Sequence, residues 1–133
     1  MKIQVITDSA VRVLQYLHEQ NNKELHTAMS IAEAIGIPYP NFIKIAGRLK
    51  EHNLVNPIPG RSGGYMLGRP AHEISLYDVF LAIEGGLVIN PCLNGQPCKR
   101  GKHRDCRLHS ALRDLQGKIA TELSSLTIAD LVS

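Results

Sequence analysis

Three cysteines are the residues of this sequence whose type and spacing point most directly to chemistry. Cys92, Cys98 and Cys106 lie within fifteen residues, with five residues between the first two and seven between the last two. An odd number of cysteines cannot pair completely into disulfides. Thiolates are typical ligands of zinc and of iron-sulfur clusters, and both take about four protein ligands. The spacing therefore predicts a metal or cluster site whose fourth ligand is not a cysteine.

Two side chains could supply that fourth ligand. His109 follows Cys106 by three residues, so both can point at one metal from the first turn of a helix. Asp8 is the alternative, a carboxylate that could come from the other subunit of a dimer, although it could equally cap the first helix. Structural zinc and thiol redox chemistry without a metal also stay open. The spacing does not match the paired C-x-x-C motifs typical of zinc sites.

The net charge of +3 arises mostly around the cysteines. Residues 1–90 carry eight basic and eight acidic side chains, whereas residues 91–133 carry seven and four. Basic neighbours favour the thiolate form and offset part of a cluster's negative charge. The residues concerned are Lys99, Arg100, Lys102, Arg104 and Arg107.

Length and composition exclude several classes of protein. The chain has 133 residues, 44% of them hydrophobic, which suits one compact domain and is too short for a barrel enzyme. We see no apolar run of the roughly 18 residues that a membrane span needs, and no signal peptide, so we expect a soluble, cytoplasmic protein. The sequence also lacks a nucleophile triad or phosphate loop, and we expect no enzymatic activity.

The first half of the chain predicts a winged helix-turn-helix. Apolar periodicity indicates helices over residues 9–20, 28–35 and 39–52, with Gly36 in the turn between the last two. Two helices joined in this way can place the second one in a DNA major groove. Strands over 54–58 and 65–67 follow, and the glycine-rich loop 59–64 joins them into a wing.

The DNA-facing residues follow from this arrangement. Tyr39 and Asn41, near the start of the third helix, are expected to reach base edges, since asparagine pairs with adenine through two hydrogen bonds. Lys44 and Arg48 are expected to meet phosphates, although Arg48, like Lys50, could instead belong to an ordinary solvated face. At the wing tip, Arg61 and Ser62 are candidates for phosphate or minor-groove contacts. The same helix is expected to bury Phe42, Ile43, Ala46 and Leu49.

The second half predicts a helix over 74–83, capped by Ser75 and stopped by Gly85 and Gly86, then a loop over 90–106. A long helix follows from Arg107 to about Leu123. It carries a stripe formed by Leu108, Leu112, Leu115 and Ile119. The expected fold is mainly α. It comprises a winged helix-turn-helix DNA-binding domain (1–85), a cysteine cluster-binding loop (86–106), and a C-terminal dimerisation helix with its tail (107–133).

Several stretches together resemble a known family. They are the wing sequence 60–65, the segment 74–79, the segment 82–85 and the cysteine trio ahead of a long helix. The chain resembles, over its whole length, the bacterial winged-helix regulators that include the iron-sulfur sensor IscR and the nitric-oxide sensor NsrR. Members without clusters share the wing, so only the cysteines imply the cofactor.

Within that family the surroundings of Asp8 and Cys106 are more similar to NsrR. This resemblance implies a homodimeric repressor that binds a double-stranded DNA operator and responds to nitric oxide. It also implies a 4Fe-4S cluster held by the three cysteines and by Asp8 of the partner subunit. His109 stands where the IscR branch has a histidine ligand to a 2Fe-2S cluster. An IscR-like regulator of iron-sulfur biogenesis and a cluster-free thiol-based regulator are the alternatives.

Overall fold

The computed structural model describes residues 2–20, 24–96, 98 and 106–132. Within this range there are five α-helices and one two-stranded antiparallel sheet. In chain order the elements are α1 (Val5–Glu19), α2 (Ala28–Ile35), α3 (Tyr39–Glu51), β1 (Val55–Ile58), β2 (Gly64–Leu67), α4 (Leu76–Glu84) and α5 (Arg107–Ser125). Among the described residues, no helix is both long and apolar enough to cross a membrane.

The start of α1 differs from the prediction. The helix begins at Val5, four residues earlier than expected. Asp8 therefore lies inside the first turns and does not cap the helix, and its carboxylate accepts a hydrogen bond from Arg12 at 2.8 Å. The helix extends upstream because Thr7 is completely buried and donates a hydrogen bond to Glu84 of α4. This hydroxyl thus joins α1 to α4.

The helix-turn-helix forms as predicted from α2 and α3. Thr27 caps α2 by accepting a hydrogen bond from the Ser30 amide at 3.1 Å. Gly36 ends α2 with a φ of 74°, a left-handed conformation that strains any residue with a Cβ. α3 then begins at Tyr39, with Pro40 in its first turn, where proline's missing amide donor costs nothing.

The wing follows α3 directly and is anchored to the rest of the domain. β1 and β2 pair antiparallel, with Ile58 opposite Gly64. The Tyr65 amide donates to the His26 carbonyl at 2.8 Å, which joins β2 to the segment ahead of α2. A Cβ at Gly64 would lie 2.6 Å from that carbonyl oxygen. Only glycine lets the two backbones approach this closely.

The predicted start and stop signals of α4 are both confirmed. The Ser75 hydroxyl accepts a hydrogen bond from the Asp78 amide at 3.1 Å, and the Asp78 carboxylate accepts one from the Ser75 amide at 2.9 Å. This reciprocal capping box satisfies two amides at the helix start. Gly85 ends the helix with a φ of 80°.

Ser75→Ala is expected to lower the free energy of unfolding by about 1 kcal/mol, the usual value of an N-cap side chain. Chemical denaturation followed by circular dichroism measures this change. The matched control is Ser124→Ala, since Ser124 is exposed and its hydroxyl donates to the Ala120 carbonyl of its own helix. The control should change the free energy by less than about 0.5 kcal/mol. Equal losses in both variants would contradict a capping role.

α5 is the longest helix, and none of its residues, all of which are described, is buried. Leu108 and Leu115 are 54% and 48% exposed. Beyond α5 the tail returns to the N-terminal helices, where Ile128 is completely buried and its amide donates to the Ile74 carbonyl at 2.9 Å. The end of the chain thus completes the core, while α5 leaves an apolar stripe exposed.

The core lies between α1, α3, α4 and the tail. In α3, the side chains of Phe42, Ile45 and Leu49 are at most 1% exposed. Ile43 is 41% exposed, so its predicted place in the core is wrong. Successive helical residues point about 100° apart, and once Phe42 and Ile45 face inward Ile43 cannot.

Candidate metal centre and nucleic-acid interface

Two of the three cysteines meet His109 at the start of α5. Cys106 is the N-cap of this helix, and its sulfur accepts a hydrogen bond from the His109 amide at 3.4 Å. On the opposite side, Nδ1 of His109 lies 3.3 Å from the Cys92 sulfur. Cys92 sits in a short 3-10 turn, Pro91–Leu93, that is packed against the beginning of α5. The structure therefore brings together Cys92, Cys106 and His109, which the sequence separates by up to 17 positions.

The segment ahead of this turn is fixed to α5. The Ile89 amide donates to the Gln116 side-chain oxygen at 2.9 Å. The Asn90 side chain in turn accepts a hydrogen bond from the Cys92 amide at 3.4 Å. The first bond ties the segment to the middle of α5, and the second stabilises the turn itself.

Cys98 is half-buried, and the residues on both sides of it lie outside the described part of the chain. The basic residues Lys99, Arg100, Lys102 and Arg104 lie outside it as well. Among the described residues, no three His, Cys, Asp or Glu side chains form a group that could hold a metal ion. The paired donors nevertheless fit one. A thiol and an imidazole are donor types that both zinc and iron take, and Nδ1 of His109 lies 3.3 Å from the sulfur of Cys92.

Asp8 has a partner on its own helix. Its side chain is 54% exposed and forms an ion pair with Arg12 at 2.8 Å. The hydrogen bond from Arg12 to Asp8, with the charge of the carboxylate, raises the pKa of the Arg12 guanidinium. The structure thus gives Asp8 a local electrostatic role, and any ligand role would require it to exchange this partner.

The predicted DNA-facing residues fall on two neighbouring surfaces. Tyr39, Asn41 and Lys44 are exposed on α3, while Arg61 and Ser62 are exposed at the tip of the wing. Wing and helix are held together through Phe42 and Tyr65, whose rings meet edge to face with centroids 5.2 Å apart. Burial, followed by the nearby Tyr39, raises the pKa of Tyr65. Orientation of the wing is therefore tied to that of α3.

Arg48 stands apart from this surface. Its side chain is half-buried and donates from Nη1 to the Ile83 carbonyl oxygen at 2.9 Å. Ile83 lies in the last turn of α4, where carbonyls have no partner within the helix. The adjacent residue, Glu84, accepts the hydrogen bond from Thr7 of α1. Sequence reasoning missed this junction because no local pattern marks a contact between residues 35 positions apart.

Comparisons with known proteins agree with this architecture. A family model described as Rrf2, iron-dependent transcriptional regulator, matches residues 3–133. The chain is 33% identical to the transcriptional repressor NsrR of Streptomyces coelicolor over 135 aligned positions, which cover all of this chain and 89% of that protein.

Two solved structures share the fold. IscR of T. potens has a TM-score of 0.74 at 23% identity, covering 98% of this chain and 85% of that one. CymR (YrzC), described as the global cysteine regulator of B. subtilis, has a TM-score of 0.74 at 20% identity, covering 98% and 95%. These similarities confirm the winged-helix fold, and the family consists of regulators, not enzymes. The chain belongs to the Rrf2 family of transcriptional regulators.

Proposed function

We propose that this chain is a DNA-binding repressor whose operator affinity is controlled by an iron-sulfur cluster, with nitric oxide or redox state as the signal. Cys92, Cys98 and Cys106 would hold the cluster. The approach of the Cys92 sulfur to the His109 ring, next to Cys106 at the N-cap of α5, carries this proposal. Two similarities support it, since the matching family is described as iron-dependent and the NsrR relative is named a repressor.

The fourth ligand has two candidates, and the geometry favours His109. Its Nδ1 lies 3.3 Å from the Cys92 sulfur. Asp8 of the partner subunit, which the resemblance to NsrR implies, would first have to leave Arg12. A cluster with a histidine ligand corresponds to the IscR-like 2Fe-2S alternative. A 4Fe-4S cluster corresponds to the aspartate alternative. The iron content of the protein and substitution of the two candidate ligands therefore both distinguish these alternatives.

His109→Ala is expected to weaken cluster retention at least tenfold, because even residues one shell beyond a metal ligand contribute about 10- to 100-fold to metal affinity. Asp8→Ala should keep its full cluster. Iron and sulfide per chain, with the visible absorption spectrum after anaerobic purification, measure both effects.

The matched control is His72→Ala, since this histidine is exposed on the turn ahead of α4 and should leave iron content unchanged. If Asp8→Ala loses the cluster while His109→Ala keeps it, the ligand is Asp8 of the partner subunit. Replacing Asp8 would also release Arg12, so Arg12→Ala separates loss of a ligand from loss of the ion pair.

A homodimer accounts for the exposed stripe of α5. Leu108 and Leu115 face outward on a helix that buries no residue within its own chain, and a symmetry mate would cover them. Two copies of α3 about 34 Å apart would then enter successive major grooves of a palindromic operator. In each half, Tyr39, Asn41 and Lys44 would contact the groove, and Arg61 and Ser62 the adjoining backbone.

The last turn of α4 offers a route from the cluster to the DNA-binding surface. Gly85 and Gly86 lead from this turn toward the cysteine segment. Ile83 binds Arg48 of α3, and Glu84 binds Thr7 of α1. A bound cluster supplies iron at which nitric oxide or oxygen can react. When the loop is released, the hydrogen bonds of Arg48 and Thr7 would transmit its movement to α3 and relieve repression.

One experiment tests the whole proposal. Anaerobically purified protein is assayed for colour, iron and sulfide, and its binding to an operator selected from random duplexes is titrated before and after nitric oxide. We expect a coloured protein that bleaches and loses operator affinity. A colourless, iron-free protein that still binds DNA and responds to thiol oxidation would instead establish a cluster-free, thiol-based regulator.

A further inference from the structure

The exposed face of α3 carries an apolar stripe that the fold does not use. Pro40, Ile43, Lys44 and Gly47 are all exposed and lie at the i, i+3, i+4 and i+7 positions of one helical face. Ile43 leaves 41% of its surface in solvent, although Phe42 directly before it is completely buried. Lys44 is the one charged residue among these four.

Gly47 is the second unusual residue of this stripe. It lies in the middle of a helix, where glycine is a poor choice because it loses much backbone freedom on folding. A Cβ built at this position would meet nothing within 4 Å, and no positive φ requires glycine there. Packing within the chain therefore does not explain the missing side chain, and close approach of another molecule to the helix would explain it.

We propose that Ile43 and Gly47 form a thymine-reading patch on α3, an inference that rests on the proposed binding of operator DNA. In the major groove only thymine presents a methyl group, and apolar side chains recognise it by contact. Ile43 would pack on this 5-methyl group. The bare backbone at Gly47, one turn further along, would let α3 lie deeper against the DNA than a side chain permits.

The charges around the patch favour DNA over a protein partner. Lys44 lies next to Ile43 on the same face, and Arg61 is exposed at the wing tip. Glu51 is exposed near the end of α3, one turn beyond Gly47, so the acidic side chain lies at the far end from Tyr39 and Asn41. DNA is a polyanion whose thymines present methyl groups in the major groove. It therefore complements a cationic surface that also carries one exposed isoleucine and one glycine.

Replacing thymine with deoxyuridine removes only the 5-methyl group, which makes it a direct probe. The duplex is one selected from a random pool by the anaerobically purified full chain. Wild-type protein should lose about fourfold in affinity when deoxyuridine replaces one or two particular thymines, the effect of burying a single methyl group. Ile43→Ala should bind both duplexes with equal affinity. Lys44→Ala is the control, since it should bind more weakly while keeping the wild-type preference for thymine.

Gly47→Ala separates the DNA-facing role from a structural one. The added methyl group should raise the melting temperature by about 2–4 °C, because alanine is the better helix former, and should weaken operator binding about tenfold by overpacking the contact. The matched control is Gly117→Ala in α5, where a Cβ would likewise meet nothing. Gly117 lies on the face opposite the leucine stripe, so this variant should be stabilised and should bind DNA unchanged.

The outcomes distinguish failure of the thymine-reading patch from failure of the proposed operator binding. If the protein selects no duplex from the pool, both fail. If it selects one and no deoxyuridine substitution changes the affinity by as much as twofold, the thymine-reading patch is overturned while operator binding stands. Wild-type operator affinity in Gly47→Ala, or an unchanged thymine preference in Ile43→Ala, would overturn it equally.

Discussion

Cys92→Ala is expected to be colourless after anaerobic purification and to bind the selected operator about 10³-fold more weakly than the wild type, a difference of about 4 kcal/mol. Cys92 carries the contact with His109 that joins the 3-10 turn to the start of α5. A cluster bound to Cys92 and Cys106 would close a loop of fifteen residues. In the chain-entropy model such a closure stabilises the folded state by about 3 kcal/mol.

The matched control is Asn94→Ala, since Asn94 is exposed directly after the same turn and should retain both colour and affinity. Analytical ultracentrifugation and circular dichroism should show that Cys92→Ala remains a folded dimer, because Cys92 is not part of the core. Sequence-specific binding by Cys92→Ala at wild-type affinity would contradict control by a cluster. An iron content equal to the wild type would exclude Cys92 as a ligand.

Elements with strong local signals could be predicted from the sequence. Gly36, Ser75 and Gly85 each mark a helix end through a conformation or hydrogen bond that depends only on neighbouring residues. The wing was predictable for a similar reason, since a glycine-rich loop lies between two short runs of β-forming residues. The family resemblance, now confirmed, rested on these same segments.

Features that depend on distant partners could not be predicted. Ile43 fits the apolar period of α3, but the packing of Phe42 and Ile45 against other elements decided which face turned inward. The start of α1 depended on Thr7 reaching Glu84, 77 positions away. Candidate ligands were recognisable by type, whereas the pairing of His109 with Cys92 required the turn and α5 to be packed together.

Arg48→Ala is expected to weaken operator binding about 10- to 100-fold without changing its dependence on salt concentration. The sequence suggested a phosphate contact for Arg48, but its guanidinium donates to the Ile83 carbonyl at 2.9 Å. A cation at this position satisfies an orphan carbonyl at the C-terminal end of α4. Hydrogen bonds that involve a charged group contribute about 1.5–3 kcal/mol, and losing this one would let α3 shift relative to α4.

Salt dependence distinguishes positioning from phosphate binding, because each lost phosphate contact lowers the slope of log K against log salt by about one. Lys44→Ala, which removes an exposed charge from α3, should lower the slope by about this amount, whereas Arg48→Ala should keep the wild-type slope. A slope reduced by one in Arg48→Ala would instead show that Arg48 contacts a phosphate.

Glu84→Gln tests the contacts of the last turn of α4 without removing a cation. It should weaken the bond to Thr7 and lower operator affinity at unchanged slope. The last turn of α4 is held against α1 by this bond, and against α3, the helix proposed to face DNA, by the bond from Arg48.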